Sequence, residues 1–238
     1  VSEIIYATDV RLSFPALVEP KVRVDAATGN KRSAYECDII LDESNPGWAQ
    51  FMQRFAELAQ IAGKEHAQAL MQMIMNDPKS RCFGDGGQKL NKKTFQPWDG
   101  YAGKKFISMS AKQSYQLIGS DGKVIDPVNP MAWQAAARKL YGGCRVNVAM
   151  KPWWQNANPQ KGYGHGIRCD LIAMQFLRDD TPFGDAAPDA SNMFGAVAGA
   201  APAAVPSFMD APSAAPAMPA PPTFGAPQMP GLPAFMQR

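Results

Sequence analysis

Apolar and polar positions alternate with a period of two at Val10, Leu12 and Phe14 against Arg11 and Ser13, which predicts a half-buried strand from about Ile4 until Pro15 ends it. Asp25-Ala26-Ala27-Thr28-Gly29-Asn30 supplies a turn, and Tyr35, Cys37, Ile39 and Leu41 alternate with Glu36 and Asp38 in a second strand that pairs with the first as a hairpin or meander. The period then changes. Asn45-Pro46 is a helix start, because Asn can cap free backbone N–H groups while Pro at the first helical position loses nothing. Trp48, Phe51, Met52, Phe55, Leu58 and Ala62 follow at helical spacing. After Gly63, Ala67, Leu70, Met71, Ile74 and Met75 continue until Asp77-Pro78, so a helical insert spans about residues 45–76.

From Lys79 to Lys105 periodicity is lost, and the stretch reads as a long surface loop. Alternation returns at Ile107, Met109 and Ala111, and Tyr115 to Ile118 leads into the turn Ser120-Asp121-Gly122, after which Val124-Ile125 reads as the start of another strand. A short helix begins at Asn129-Pro130, carries Trp133, Ala137 and Leu140, and ends at Gly142-Gly143. Cys144, Val146, Val148 and Met150 form the cleanest two-residue repeat in the chain. A loop from Pro152 to Gly166 and a last strand from Ile167 to Arg178 complete the pattern. This describes a mainly β domain with inserted α-helices, a small barrel or α+β sheet rather than βαβ units.

Composition divides the chain in two. Of the 54 residues from Asp185 to Arg238, 16 are Ala, 11 Pro and 4 Gly, which cannot build a core, so residues 1–184 are expected to form one domain and 185–238 a disordered Pro/Ala-rich tail. The net charge of +3 separates into +5 for the domain and −2 for the tail, a balance that permits a polyanionic partner without requiring one. No signal-peptide pattern opens the sequence, and the uncharged stretch from Ala190 to Met209 is too weakly apolar and too broken by Pro202 and Pro206 to span a membrane. The four cysteines, Cys37, Cys82, Cys144 and Cys169, contain no CxxC pair, which disfavours zinc and disulfide frameworks and fits a reduced, cytoplasmic setting.

Catalysis has little to work with. His66 lies in a helical pattern and His165 in a glycine-rich turn, neither beside a nucleophile. Phe83-Gly84-Asp85-Gly86-Gly87 completes no phosphate-loop motif, and the adjacent Asp179-Asp180 side chains diverge in an extended backbone. The chain is expected to be no enzyme and to need no cofactor.

Cations interleaved with aromatics carry the chemistry. Lys89, Lys92, Lys93, Phe95, Trp98, Tyr101, Lys104, Lys105 and Phe106 fall within 18 positions. Single-stranded nucleic acid needs both residue types, cations for phosphates and flat side chains for unpaired bases. A solvated loop anchored by Phe95 and Trp98 is the competing reading. A second cluster, Lys151-Pro152-Trp153-Trp154 with Lys161 and Tyr163, reads equally as a stacking platform or a plug at a barrel end. Arg145 shares the polar face of its strand with Lys151.

Arg11-Leu12-Ser13-Phe14-Pro15, Tyr35, Asp85-Gly86, Asp99-Gly100-Tyr101-Ala102-Gly103, Tyr141-Gly142-Gly143-Cys144 and the segment from Phe176 to Gly184 together resemble a bacteriophage family similar to the phage T7 type of single-stranded DNA-binding protein. The resemblance implies an OB-fold, a five-stranded Greek-key barrel, and protection of single strands during phage replication and recombination. On that footing Lys92, Lys93, Lys104, Lys105, Lys112, Arg145 and Lys151 are the expected phosphate contacts, and Trp98, Tyr101, Trp153 and Trp154 the expected base stackers. RNA remains open as a ligand, and a structural or scaffolding phage protein that self-associates without DNA is the alternative. The resemblance to the T7 type also implies a strongly acidic tail that occupies the binding groove and docks replication partners. This tail holds only Asp185, Asp189 and Asp210, and offers instead the apolar groups Met193-Phe194, Phe208-Met209, Phe224 and Phe235-Met236 for replication proteins or further copies, unless it is only a solubilising linker.

Overall fold

The computed structural model describes residues 3–24, 29 and 31–184; the expected tail lies outside them, as does most of the turn at 25–30. Seven strands are found in this part: β1 (Ile5–Val24), β2 (Lys31–Leu41), β3 (Phe83–Asp85), β4 (Lys105–Ala111), β5 (Gln116–Ile118), β6 (Arg145–Gln155) and β7 (Gly166–Arg178). Three helices accompany them: α1 (Pro46–Gly63), α2 (Ala67–Asn76) and α3 (Pro130–Ala137).

The strands run in the order β3-β4-β2-β1-β6-β7-β5, and β4 also meets β7 in parallel at Ser110 and Asp170. That contact closes β1, β2, β4, β7 and β6 into a ring. Read in chain order, the five strands follow a 1-2-3-5-4-1 cycle, the Greek-key closure of an OB-fold, and both helical segments enter as insertions between strands. Inward positions meet across the ring: Leu12 pairs with Ile39, and Ile39 with Ile107, all three fully buried. Val146, Val148 and Met150 continue this interior from β6.

The α1 start is built as its sequence predicts, Asn45 accepting a 2.9 Å hydrogen bond from the Gly47 amide before Pro46 opens the helix. Its buried stripe, Trp48, Phe51 and Phe55, closes around Phe83, with ring centroids at 5.8, 5.3 and 5.3 Å. Each of these aromatic side chains removes enough apolar surface from water to stabilise the fold by roughly 1.5–3 kcal/mol. The helical insert thus belongs to the core.

Four expectations differ from the structure. Pro15 does not end β1. The strand continues to Val24 through a register break between Ser13 and Ala16, with Phe14 at φ +47°, because a bulge accommodates a proline that a regular ladder rejects. Trp153 and Trp154 lie inside β6 rather than in a loop, paired with Arg168 and Ile167. The stretch from Lys79 to Lys105 contains β3, too short to show a period of its own, while Val124 makes only an isolated bridge to Ile118.

All four cysteines are buried as free thiols. Burial pushes Cys82 up to about 12 and Cys144 up to about 11, and raises Cys37 and Cys169 as well. A thiol reacts as its thiolate. Iodoacetamide at pH 8 is therefore expected to leave the folded protein unmodified over the time in which it alkylates the unfolded chain, as mass spectrometry would read.

Candidate nucleic-acid interface

A groove of about 1500 Å³ opens along the barrel. Its floor is made by Cys37 and Asp38 of β2, Ser108 to Ser110 of β4 and Cys169 of β7. One wall is the β1–β2 arm, which brings Lys21, Arg23 and Arg32; the other is the β6–β7 hairpin from Trp153 to Asn158, with Tyr163. These are the surfaces through which OB-folds take oligonucleotides: the face of the second and third barrel strands, and the loops joining the first to the second and the fourth to the fifth.

Seven cations line the groove, Lys21, Arg23, Arg32, Arg81, Lys89, Lys112 and Arg168, against two carboxylates, Glu36 and Asp38. Both carboxylates are already engaged, Glu36 with Arg23 at 2.5 Å and Asp38 with Lys89. Five cations remain for a polyanion. Lys21, Arg32 and Lys112 are exposed and form no ion pair among the described residues. Arg168 is braced by the Gln155 side chain at 3.2 Å and the Lys79 carbonyl at 3.1 Å.

The indoles are held from behind. Trp153 donates through Nε1 to Asp170 at 2.9 Å, and Trp154 donates to Nδ1 of His165 at 3.3 Å. His165, rejected above as a catalyst, thus orients an aromatic wall residue. Both tryptophans are half-buried, and Trp154 also packs on the core, so the platform and plug readings each describe part of its surface.

Of the expected site residues, Lys112, Trp153 and Trp154 come together in this groove. The others lie elsewhere. Lys92 and Lys93 sit on an exposed turn closed by the Leu90–Pro97 bridge. Lys104 pairs with Asp42, and Lys105 reaches Glu43 at 3.4 Å and Asp85 at 3.5 Å, at the opposite end of β4 from the groove. Lys151 meets Glu3 at 2.6 Å and draws that carboxyl below its usual range. Arg145 binds Asp180 at 2.7 Å, and this hydrogen bond, with that from the Thr181 amide, holds the Asp180 carboxyl low. Tyr101 is fully buried, its phenol donating to Asp38 at 2.5 Å; burial, then the Asp38 charge, drives its pKa far upward. Trp98 packs edge-on against Phe14.

Because Lys104 and Lys105 carry their own counter-ions, changing both to Ala is expected to leave the salt dependence of nucleic-acid binding unchanged, measured as log K against log salt. A shallower slope would place them on the phosphate path.

Sequence reading missed Lys21 and Arg23 because β1 was expected to end at Pro15, and Arg32 because the second strand was read only from Tyr35. The alternation Lys21-Val22-Arg23-Val24 is itself a strand signal, with both lysine and arginine on one face.

A family model described as Enterobacter phage Enc34, ssDNA-binding protein, matches residues 2–203. The chain belongs to this family. Among solved structures, the single-stranded DNA-binding protein from bacteriophage Enc34 in complex with ssDNA is 22% identical with a TM-score of 0.54, over 77% of this chain and 90% of that one. The gp2.5 single-stranded DNA-binding protein encoded by bacteriophage T7 is 13% identical with a TM-score of 0.47, over 82% and 98%. No curated protein sequence matches.

Within the family frame, the motifs that carry the resemblance prove mostly structural. Arg11 donates to the carbonyls of Gly143 and Thr181 and lies 4.1 Å from the Phe183 ring centroid, while the Tyr141 hydroxyl shares its one proton between Asp179 at 3.0 Å and the Asp180 carbonyl at 2.9 Å and accepts from the Asp180 amide at 3.2 Å. A side chain at Gly143, where φ is +111°, would collide with the Thr181 carbonyl, and one at Gly86 with that of Tyr101. These residues clasp the segment after the last strand, and the β3–β4 loop, to the barrel. Among the described residues no cluster of His, Cys, Asp and Glu could hold a metal, and no helix is long and apolar enough to cross a membrane.

Proposed function

We propose that the groove is the binding site for single-stranded DNA, and that the protein covers and organises single strands during phage DNA replication and recombination in the infected cell's cytoplasm. The observation that carries this reading is the surplus of five uncompensated cations in a groove whose far wall is aromatic. Lys21, Arg32, Arg81, Lys112 and Arg168 take phosphates; Trp153, Trp154 and Tyr163 take base faces. Such contacts neutralise the backbone and stack any base, so sequence preference is low. On the same reading the apolar groups of the tail sequence dock phage or host replication proteins.

Titration with oligo-dT, duplex DNA of equal length and an RNA oligomer, followed by tryptophan fluorescence at several salt concentrations, tests the reading. Tight, quenched, salt-sensitive binding of oligo-dT with weaker duplex binding is expected. Failure to bind any of them at low salt would sink it, and equal binding of RNA would widen the ligand class.

A further inference from the structure

We propose that Phe14, which lies outside both cation–aromatic clusters of the sequence, stacks on a base of the bound strand, and that Trp98 positions it. This rests on the single-stranded DNA reading of the groove.

Phe14 stands in the middle of β1 with φ +47°, a left-handed conformation that bulky side chains avoid and that Pro15 behind it restricts further. The strain has a visible product. Leu12, Ser13 and Leu17 around it are buried, whereas the Phe14 ring is turned onto the groove wall with 46% of its surface exposed. The part of the ring left in water contributes nothing to folding. It contributes to binding if another flat apolar surface covers it.

The ring is braced on its remaining sides. Trp98 meets it at 5.0 Å with planes at 84°, and Tyr101 lies tilted at 6.0 Å. Lys89 Nζ is 5.6 Å from its centroid, but that charge is engaged by Asp38. Phe14 therefore offers a fixed apolar face with no free charge of its own nearby. Trp98 is half-buried and absent from the groove wall, so its part is to hold the phenyl ring in place.

The test uses the full chain and a labelled oligo-dT, with binding read by anisotropy across a salt series and folding by thermal melts. Phe14→Ala is expected to weaken binding about 5- to 140-fold, the span of one lost base stack, with the salt slope unchanged. Phe14→Leu, apolar but not flat, should fail to restore it. Phe14→Trp should bind like the parent and add fluorescence quenching. Trp98→Ala should weaken the parent but not the Phe14→Ala variant, which a general structural role would not produce. Parental affinity in Phe14→Ala, full recovery with Leu, or no added quenching in Phe14→Trp would each overturn the proposal. If Phe14→Ala melts below the working temperature, the Trp variant decides. A parent that binds no oligo-dT would instead overturn the reading of the groove.

Discussion

Replacing Lys21, Arg32 and Lys112 together by Ala is expected to weaken oligo-dT binding about 100-fold at 0.1 M salt and to flatten the plot of log K against log salt by about 2. Each phosphate neutralised on a single strand contributes roughly 0.7 to that slope, and these three cations have no ion-pair partner among the described residues to absorb the loss. The fluorescence quenching of the bound state should persist, because Trp153 and Trp154 are untouched. Their distribution strengthens the prediction: two sit on the β1–β2 arm and one just past the end of β4, so they border the groove from different elements. A variant with the parental slope would move the strand's path off this face.

Asp38→Ala is expected to destabilise the domain by about 3 kcal/mol, lowering Tm by roughly 6–12 °C. Asp38 accepts from the buried Tyr101 hydroxyl and pairs with Lys89, whose ammonium lies 4.3 Å from the Phe106 ring centroid and 5.3 Å from that of Tyr101. Removing the carboxylate strands a cation among aromatic rings. Water reaches about a quarter of the lysine side chain, which keeps the effect at the low end for a broken buried pair. Asp38→Ala combined with Lys89→Met should recover much of the loss, since no charge is then left unpaired. Equal melting of single and double variants would show that the pair is solvated.

The fold was more legible than the site. Asn45-Pro46 and the apolar residues after it announce α1 because capping and periodicity are local properties, and β6 is visible for the same reason. Pro15 misleads because its usual effect on a strand is cancelled by a bulge, which depends on β2 lying alongside. The site depends on partners even more. Lys104, Lys105, Arg145 and Lys151 look like free cations in any sequence window, yet their counter-ions come from Asp42, Glu43, Asp85, Asp180 and Glu3, on other segments of the chain. Adjacent indoles on a strand cannot both be interior, and Trp153 and Trp154 are accordingly half-buried along the groove. Tyr101 was not legible, because only tertiary packing brings its hydroxyl under Asp38.

The parallel contact between Ser110 and Asp170 makes the barrel a band with one light clasp. β2 and β4 are registered along the whole of β4, and β6 with β7 along most of their length, but β4 and β7 share a register only there. Ser110 is also part of the groove, and Asp170 holds the Trp153 indole. The clasp thus borders the proposed binding groove, through Ser110 on one side and through the indole that Asp170 holds on the other. With single-stranded DNA in the groove, the amides from Ser110 to Lys112 are expected to exchange with solvent more slowly, while those pairing β2 with the first half of β4 stay as they were; hydrogen exchange with and without oligo-dT checks it.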